Sequence, residues 1–299
     1  MQVKHIIFYA GSLRPGGGLT VSKTMIESLA SDSSNRIVVF TGAKDSSAIL
    51  KNLFEDFDNV AEKKFFQNSG SLLRYVASKV YFLPYTLYKK TDAVISINYF
   101  LPCWCKLFVY HINLLSFIST SQNTLGFKLK RLDARIACKL ASVNVFESKY
   151  LLKTARGFVG KVRNPKHLYI GIDDTFFTHS SDRNWSEHKS PHILAVTSVQ
   201  PHKDNPTLID TLVLLKKNHP KIPWQLTVVG GQSVEQWSSL LKYAKKRGVA
   251  DDVQFLGPVR KEELVEQMQN CLCVVSTSLV ESFCMVAIEA MAIDSMATI

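Results

Sequence analysis

The 299 residues carry 36 Lys and Arg against 25 Asp and Glu, and 46% of them are apolar. That length suits two domains with sizeable cores, and the sequence has no run of about 18 apolar residues that could cross a membrane as a helix. The charge is uneven: residues 1–170 hold 24 basic and 10 acidic side chains, whereas residues 171–299 hold 12 and 15, so the net +11 comes from the first part.

In chain order, Met1 to His5 leads into an apolar run that ends by Ala10. It is too short for a signal peptide and reads as a strand over 4–10, so a cytoplasmic protein is expected. Pro15-Gly-Gly-Gly18 follows, then a helix near 19–30 and a strand over 36–41. Leu72 to Lys90 mixes Leu, Val, Tyr and Phe with Arg74, Lys79, Lys89 and Lys90. It has two readings: a core helix broken at Pro84, or an interfacial amphipathic element with basic and aromatic flanks. Strands over 93–97 and 106–110, a basic helix within 126–140 and a strand over 142–146 come next. Residues 178–190 are polar and aperiodic, and read as the linker between a first domain, 1–180, and a second, 181–299.

The second domain alternates strand 192–198, helix 205–217, strand 224–230, helix 234–247, strand 253–257, helix 261–270, strand 271–277 and helix 283–293. Such alternation predicts doubly wound parallel sheets. Ser295 to Ile299 reads as the entry to a fifth strand. A chain stopping there is expected to leave strand four as a bare edge and to associate.

The stretch Glu281-Ser-Phe-Cys-Met-Val-Ala-Ile-Glu289 follows an apolar strand and opens a helix that is apolar on nearly every side. Glu289 is the only charge inside that helix, and a lone carboxylate there needs a partner. One reading supplies a salt bridge, with Glu281 complementing the helix dipole. The other supplies a ligand, such as a nucleotide ribose. Eight residues of helix span roughly 12 Å, comparable to the ribose-to-sugar distance in a nucleotide sugar. The N–H groups of Ser282, Phe283 and Cys284 would then hold the diphosphate. In a 3-2-1-4 strand order the loops after strands one and four are neighbours at the switch point. Topology therefore predicts Lys203 beside residues 282–284.

Cys103/Cys105 and Cys271/Cys273 are C-x-C pairs. Zinc ligation and packing as small hydrophobes are both readings, the second favoured because Cys271/Cys273 lies in an apolar run. No metal is expected at the site. The basic first half suits an anionic membrane surface or a phosphorylated acceptor, or a solvated surface without a partner. No nucleic-acid-binding motif accompanies it.

These segments resemble retaining glycosyltransferases, family 4 in particular, which have the GT-B fold of two Rossmann-like domains facing a cleft. Glu281 to Glu289 is similar to the E-x-F-G-x-x-x-x-E signature, with Cys284 at the family's glycine. Pro15–Gly18 resembles the family's glycine loop, Gly171-Ile-Asp173 with Phe176 its G-[VI]-D-x-x-x-F element, and Pro201-His-Lys-Asp-Asn205 its P-x-K-N segment. Leu226–Gly231 and Val253–Gly257 resemble its next two strand-turn units. Family members continue past the point where this chain stops, so the second domain is expected to be incomplete.

The resemblance implies a hexosyltransferase that uses a UDP- or GDP-sugar without a metal. It acts on a lipid-linked or polysaccharide acceptor in surface-glycan assembly, at the inner face of a membrane. His111, Lys203 and Glu281 are then the catalytic candidates. Gly16, Gly17, Gly18, Ser198, Lys203, Ser282, Phe283, Cys284 and Glu289 are the donor-binding ones. The alternative is an inactive fragment or pseudoenzyme that binds a ligand or partner without turnover.

Overall fold

The computed structural model describes residues 3–11, 17–42, 50–66, 71–118, 124–177, 191–231, 233–293, 295 and 297–298. The chain divides into two compact units, Met1–Ile170 and Gly171–Ile299. The expected linker, 178–190, and Gly16 of the glycine loop lie outside the described residues.

The first unit is built on seven parallel strands: β1 (Lys4–Ala10), β2 (Asn35–Thr41), β3 (Val60–Lys64), β4 (Ala93–Ile97), β5 (Lys106–His111), β6 (Val143–Phe146) and β7 (Pro165–His167). Their order is β3-β2-β1-β4-β5-β6-β7. β1 is central, and its continuous apolar run follows from burial on both faces. Ile6, Phe8 and Ala10 pack on one side with Leu19 and Ile26 of α1 (Gly17–Ala30) and Leu53 of α2 (Lys51–Asp56). Ile7 and Tyr9 pack on the other with Phe82 of α3 (Ser71–Tyr88) and Ala137 of α4 (Leu125–Leu140). α5 (Lys149–Val159) starts where the Ser148 hydroxyl accepts the Leu151 N–H at 3.0 Å, a side-chain N-cap.

Two departures from expectation stand out here. β3, β7, α2 and α5 are additional elements; the first three are only 5, 3 and 6 residues long, while α5 is an amphipathic helix of 11 residues that the sequence reading passed over. The helix over 71–88 is not broken at Pro84: it runs through it. Pro84 lies on the exposed side, where its missing N–H costs least, while Phe82 is fully buried and Tyr81 and Tyr85 pack against the sheet cluster.

α3 and α4 are joined under the surface. Lys79 Nζ meets Asp133 Oδ1 at 2.6 Å, the Phe100 N–H donates to Asp133 Oδ2 at 3.0 Å, and Lys79 also bonds the Phe100 carbonyl. Burial pushes the Lys79 ammonium pKa down and the Asp133 carboxyl up, and each opposes the other's shift.

The second unit has β8 (His192–Val196), β9 (Gln225–Val229), β10 (Val253–Gly257), β11 (Cys273–Val275) and β12 (Ala297–Thr298), all parallel, in the order β10-β9-β8-β11-β12. Both faces are covered. α6 (Asn205–Asn218) and α7 (Ser238–Arg247) lie on one side, where Leu208 and Leu240 meet Ile193 and Val228. α8 (Lys261–Asn270) and α9 (Met285–Ala292) lie on the other, where Val265 and Ala290 meet Leu194 and Val274. Gly230, at φ 115°, ends β9 beside β8: a Cβ there would stand 2.1 Å from the Thr197 carbonyl oxygen, so only glycine fits.

Strand four is not the bare edge expected of it. β11 pairs with β8 on one side and with β12 on the other, through Val274–Ala297 and Val275–Thr298. Two residues suffice because β11 is only three residues long.

Candidate active site in the second unit

The site is assembled at the carboxyl ends of β8 and β11, the two strands where the order reverses. After β8, Thr197 and Ser198 are held by Asn205: its Oδ1 accepts the Thr197 hydroxyl at 3.0 Å and its Nδ2 donates to the Ser198 carbonyl at 2.8 Å. A 3-10 turn, Pro201–Lys203, follows, and Asp204 then takes a left-handed conformation (φ 46°, ψ 48°) to launch α6. Asp tolerates this region better than most residues, and its carboxylate accepts the Thr207 hydroxyl at 2.7 Å.

The loop after β11 fastens onto this turn. The Thr277 hydroxyl bonds the carbonyls of Lys203 at 3.0 Å and Asp204 at 3.1 Å, and the Leu279 N–H donates to the His202 carbonyl at 2.9 Å. Lys203 Nζ forms an ion pair with Glu281 Oε1, both side chains about three-quarters buried. Sequence order alone placed these loops together, and the structure joins the two charges directly. His202 sits in the same turn with its buried Nδ1 lacking a hydrogen-bond partner. Burial, then the Lys203 charge, lowers its pKa, which keeps the imidazole neutral.

α9 begins at Met285, two residues later than the expected 283, because Cys284 is its N-cap in a left-handed conformation (φ 55°, ψ 66°). Ser282 and Phe283 therefore precede the helix, and its first turn presents the amides of Met285 and Val286, the Ala287 N–H being taken by the Cys284 carbonyl at 3.1 Å. The Cys284 thiol pKa is raised, chiefly by burial. A non-glycine residue in this region costs about 1–2 kcal/mol, while glycine costs about 0.5–1 kcal/mol in the unfolded chain. Cys284→Gly is therefore expected to leave the urea midpoint of the second unit equal or slightly raised, with nucleotide-sugar affinity equal or improved. A large loss of affinity in calorimetry would give the thiol a contact with the donor.

Glu289 lies on the second turn of α9, half-buried. Burial raises its carboxyl pKa; Lys261 opposes that shift and Asp173 adds to it. These last two are themselves an ion pair, and the Thr175 N–H also donates to Asp173 Oδ1 at 3.0 Å. The Lys261 bond, then that of the Thr175 hydroxyl, holds the Asp173 carboxyl down to about 2. Lys261 escaped the sequence reading, yet a signal was there. It opens a helix whose positive dipole end repels a cation, so its position calls for an acidic partner.

In the first unit, His111 ends β5 and is 1% exposed. Its ring stacks on Phe146 at 4.7 Å between centroids. Asn144 on the adjacent strand donates through Nδ2 to the Arg163 carbonyl at 2.9 Å, which turns Oδ1 to accept the His111 Nε2–H at 2.9 Å. Burial lowers the imidazole pKa to about 4. His111 is thus a neutral ring with its lone pair at Nδ1, able to accept a hydrogen bond but carrying no charge. Asn144 was also missed, although an asparagine in the run Val143-Asn-Val-Phe146 marks it. Gly17 opens α1, and a Cβ there would meet nothing within 4 Å. No internal packing demands glycine at that point, while the Gly18 carbonyl accepts the Ser22 hydroxyl at 2.8 Å.

Comparison with known proteins defines the class first. Solved structures match over nearly the whole chain: HepE of Anabaena in complex with UDP and glucose (TM-score 0.72, 18% identity, 98% of this chain and 80% of that one), and WaaG, a glycosyltransferase involved in lipopolysaccharide biosynthesis (TM-score 0.74, 16% identity, 98% and 80%). At these identities the likeness is one of fold, and the fold is that of GT-B glycosyltransferases. More particularly, residues 177–296, which lie within the second unit, match the model of the family Glycosyl transferases group 1. D-inositol 3-phosphate glycosyltransferase of Paenarthrobacter aurescens is 31% identical over 127 residues, 41% of this chain and 31% of that protein. Mannosylfructose-phosphate synthase of Agrobacterium fabrum is 31% identical over 140 residues, 42% and 31%. The matched segment thus spans about a third of either curated relative.

Proposed function

We propose that the protein is a retaining glycosyltransferase of family 4 that moves a hexose from a UDP- or GDP-sugar, without a metal, to a lipid-linked or polysaccharide acceptor at an anionic membrane surface. The observation that carries this is the pairing of Lys203 with Glu281 at the switch point of a parallel sheet, with Glu289 eight residues on. Lys203 supplies the charge for a leaving diphosphate, and the first-turn amides of α9 add dipoles. Glu281, released from Lys203 when phosphate takes its place, accepts from sugar hydroxyls. Glu289 accepts from the ribose. A nucleotide-sugar donor is supported by the fold neighbour HepE, solved with UDP and glucose, and a surface-glycan role by WaaG, which is involved in lipopolysaccharide biosynthesis.

A screen of nucleotide sugars for thermal stabilisation, followed by turnover in the presence of chelator, tests the reading. Stabilisation by one UDP- or GDP-sugar and transfer with retained anomeric configuration are expected. Binding without transfer to any acceptor would favour an inactive binding protein. Glu289→Ala is expected to weaken nucleotide binding by about 1–3 kcal/mol, the scale of a lost charged hydrogen bond. Equal affinities by calorimetry would remove the ribose role.

A further inference from the structure

α3 is apolar on two faces, and the sheet covers only one. Inward, Phe82 is fully buried and Ala77, Tyr81 and Tyr85 pack on the cluster around Tyr9 and Val94. Outward, Leu72, Val76, Val80, Leu83 and Leu87 recur at spacings of three and four, which is one stripe of a helix. They are exposed by 53, 50, 70, 37 and 61%. Tyr88, at the end of the helix, is 79% exposed, and Trp104 is 66% exposed in a loop tied to α3 by its N–H to the Thr86 hydroxyl. A stripe this long is well beyond the scattered apolar residues of an ordinary surface.

The neighbouring helix repeats the pattern with charge added. α4 shares the sheet face with α3, joined to it by Lys79 and Asp133. Its exposed residues include Leu132 and Leu140 alongside Lys128, Arg135 and Lys139. Arg131 and Arg135 rest on the Phe158 ring, and Lys139 bonds the Lys161 carbonyl. Neutral partners of this kind leave the positive charge in place. The one acid in either helix, Asp133, is buried against Lys79. Lys89 and Lys90 place positive charge just past the C-terminal end of α3.

We infer that the outward face of α3 and α4 docks the first unit on an anionic lipid surface. α3 lies in the headgroup plane with its stripe toward the acyl chains, and the α4 lysines and arginines meet the lipid charge. Helices with an apolar stripe and a basic flank behave this way. A second copy of the chain fits the face less well, since it would oppose one basic patch with another. The inference rests on the membrane part of the proposed function, but its test reads binding alone.

The test is co-sedimentation of the full chain with vesicles of phosphatidylglycerol and phosphatidylcholine, against phosphatidylcholine alone, at low and high salt. The chain is expected to bind the anionic vesicles only, with salt weakening the binding and the tryptophan emission, to which the exposed Trp104 contributes, shifting to the blue. Val80→Glu with Leu87→Glu should weaken binding at least tenfold without moving the urea midpoint, because both residues are exposed. Lys128→Glu with Lys139→Glu should weaken it and flatten its salt dependence. Absence of vesicle binding, or equal binding by the Val80/Leu87 variant, overturns the inference. So does a dimer in sedimentation equilibrium that the same variant abolishes. Nucleotide-sugar affinity, measured on the same samples, separates the two readings. A chain that binds the donor but no vesicle overturns only the docking face. One that binds vesicles but no donor leaves the face standing and overturns the proposed function.

Discussion

Lys203→Ala is expected to lower donor affinity and turnover together, by on the order of 10³–10⁵-fold in kcat/KM. A hydrogen bond to a charged group is worth about 1.5–3 kcal/mol, and loss of a donor aimed at developing charge costs about 2.7–4 kcal/mol in the rate. Both parameters should move, because in the proposed reaction the ammonium would serve the bound diphosphate as well as the leaving one. The variant also leaves Glu281 without its partner, so Lys203→Ala with Glu281→Gln separates the lost cation from the stranded anion. Steady-state kinetics with the donor found by the screen provide the check. Unchanged kinetics in an active preparation would remove Lys203 from the site.

Asp133→Ala is expected to produce the largest loss of stability in the first unit, about 3 kcal/mol. The change strands Lys79 in a mostly buried position and removes the acceptor of the Phe100 N–H. Breaking a buried pair from one side costs about 3–5 kcal/mol, and the low end applies because the Lys79 side chain keeps 22% exposure and can reach water. Lys79→Met with Asp133→Leu should recover most of the loss, since an apolar pair leaves no buried charge. Urea denaturation of the three proteins measures this. An unmoved midpoint in Asp133→Ala would show that the pair contributes nothing to holding α3 on α4.

The second unit was legible in the sequence to a degree the first was not. Its strands are short apolar runs and its helices are set off by Pro, Gly and charged residues, so the order of elements implied the order of strands. That order in turn brought Lys203 to Glu281 across 78 positions. What failed were choices made by single backbone positions. Nothing in propensity says that Cys284 adopts a left-handed conformation and delays α9 by two residues. Pro84 reads as a breaker because local rules count the lost N–H, whereas Phe82 and Tyr85, buried on the opposite side, keep the helix in register through it. Asn144 and Lys261 act through partners brought close only by folding: His111 on the next strand and Asp173 from 88 positions away.

The fastening of the two site loops has a consequence for how a ligand is met. Thr277 grips the carbonyls of Lys203 and Asp204, and Leu279 grips His202, so the turn that bears the cation and the strand end that leads to the carboxylate form one rigid frame. The conformational freedom that a flexible lysine loop and a flexible acidic loop would each surrender on closing around a diphosphate has already been given up during folding. Under the proposed function, a ligand would meet a backbone frame already in place, and only the Lys203 and Glu281 side chains would have to part to admit it. In that reading, discrimination between donors would then rest on the sheet that holds these loops.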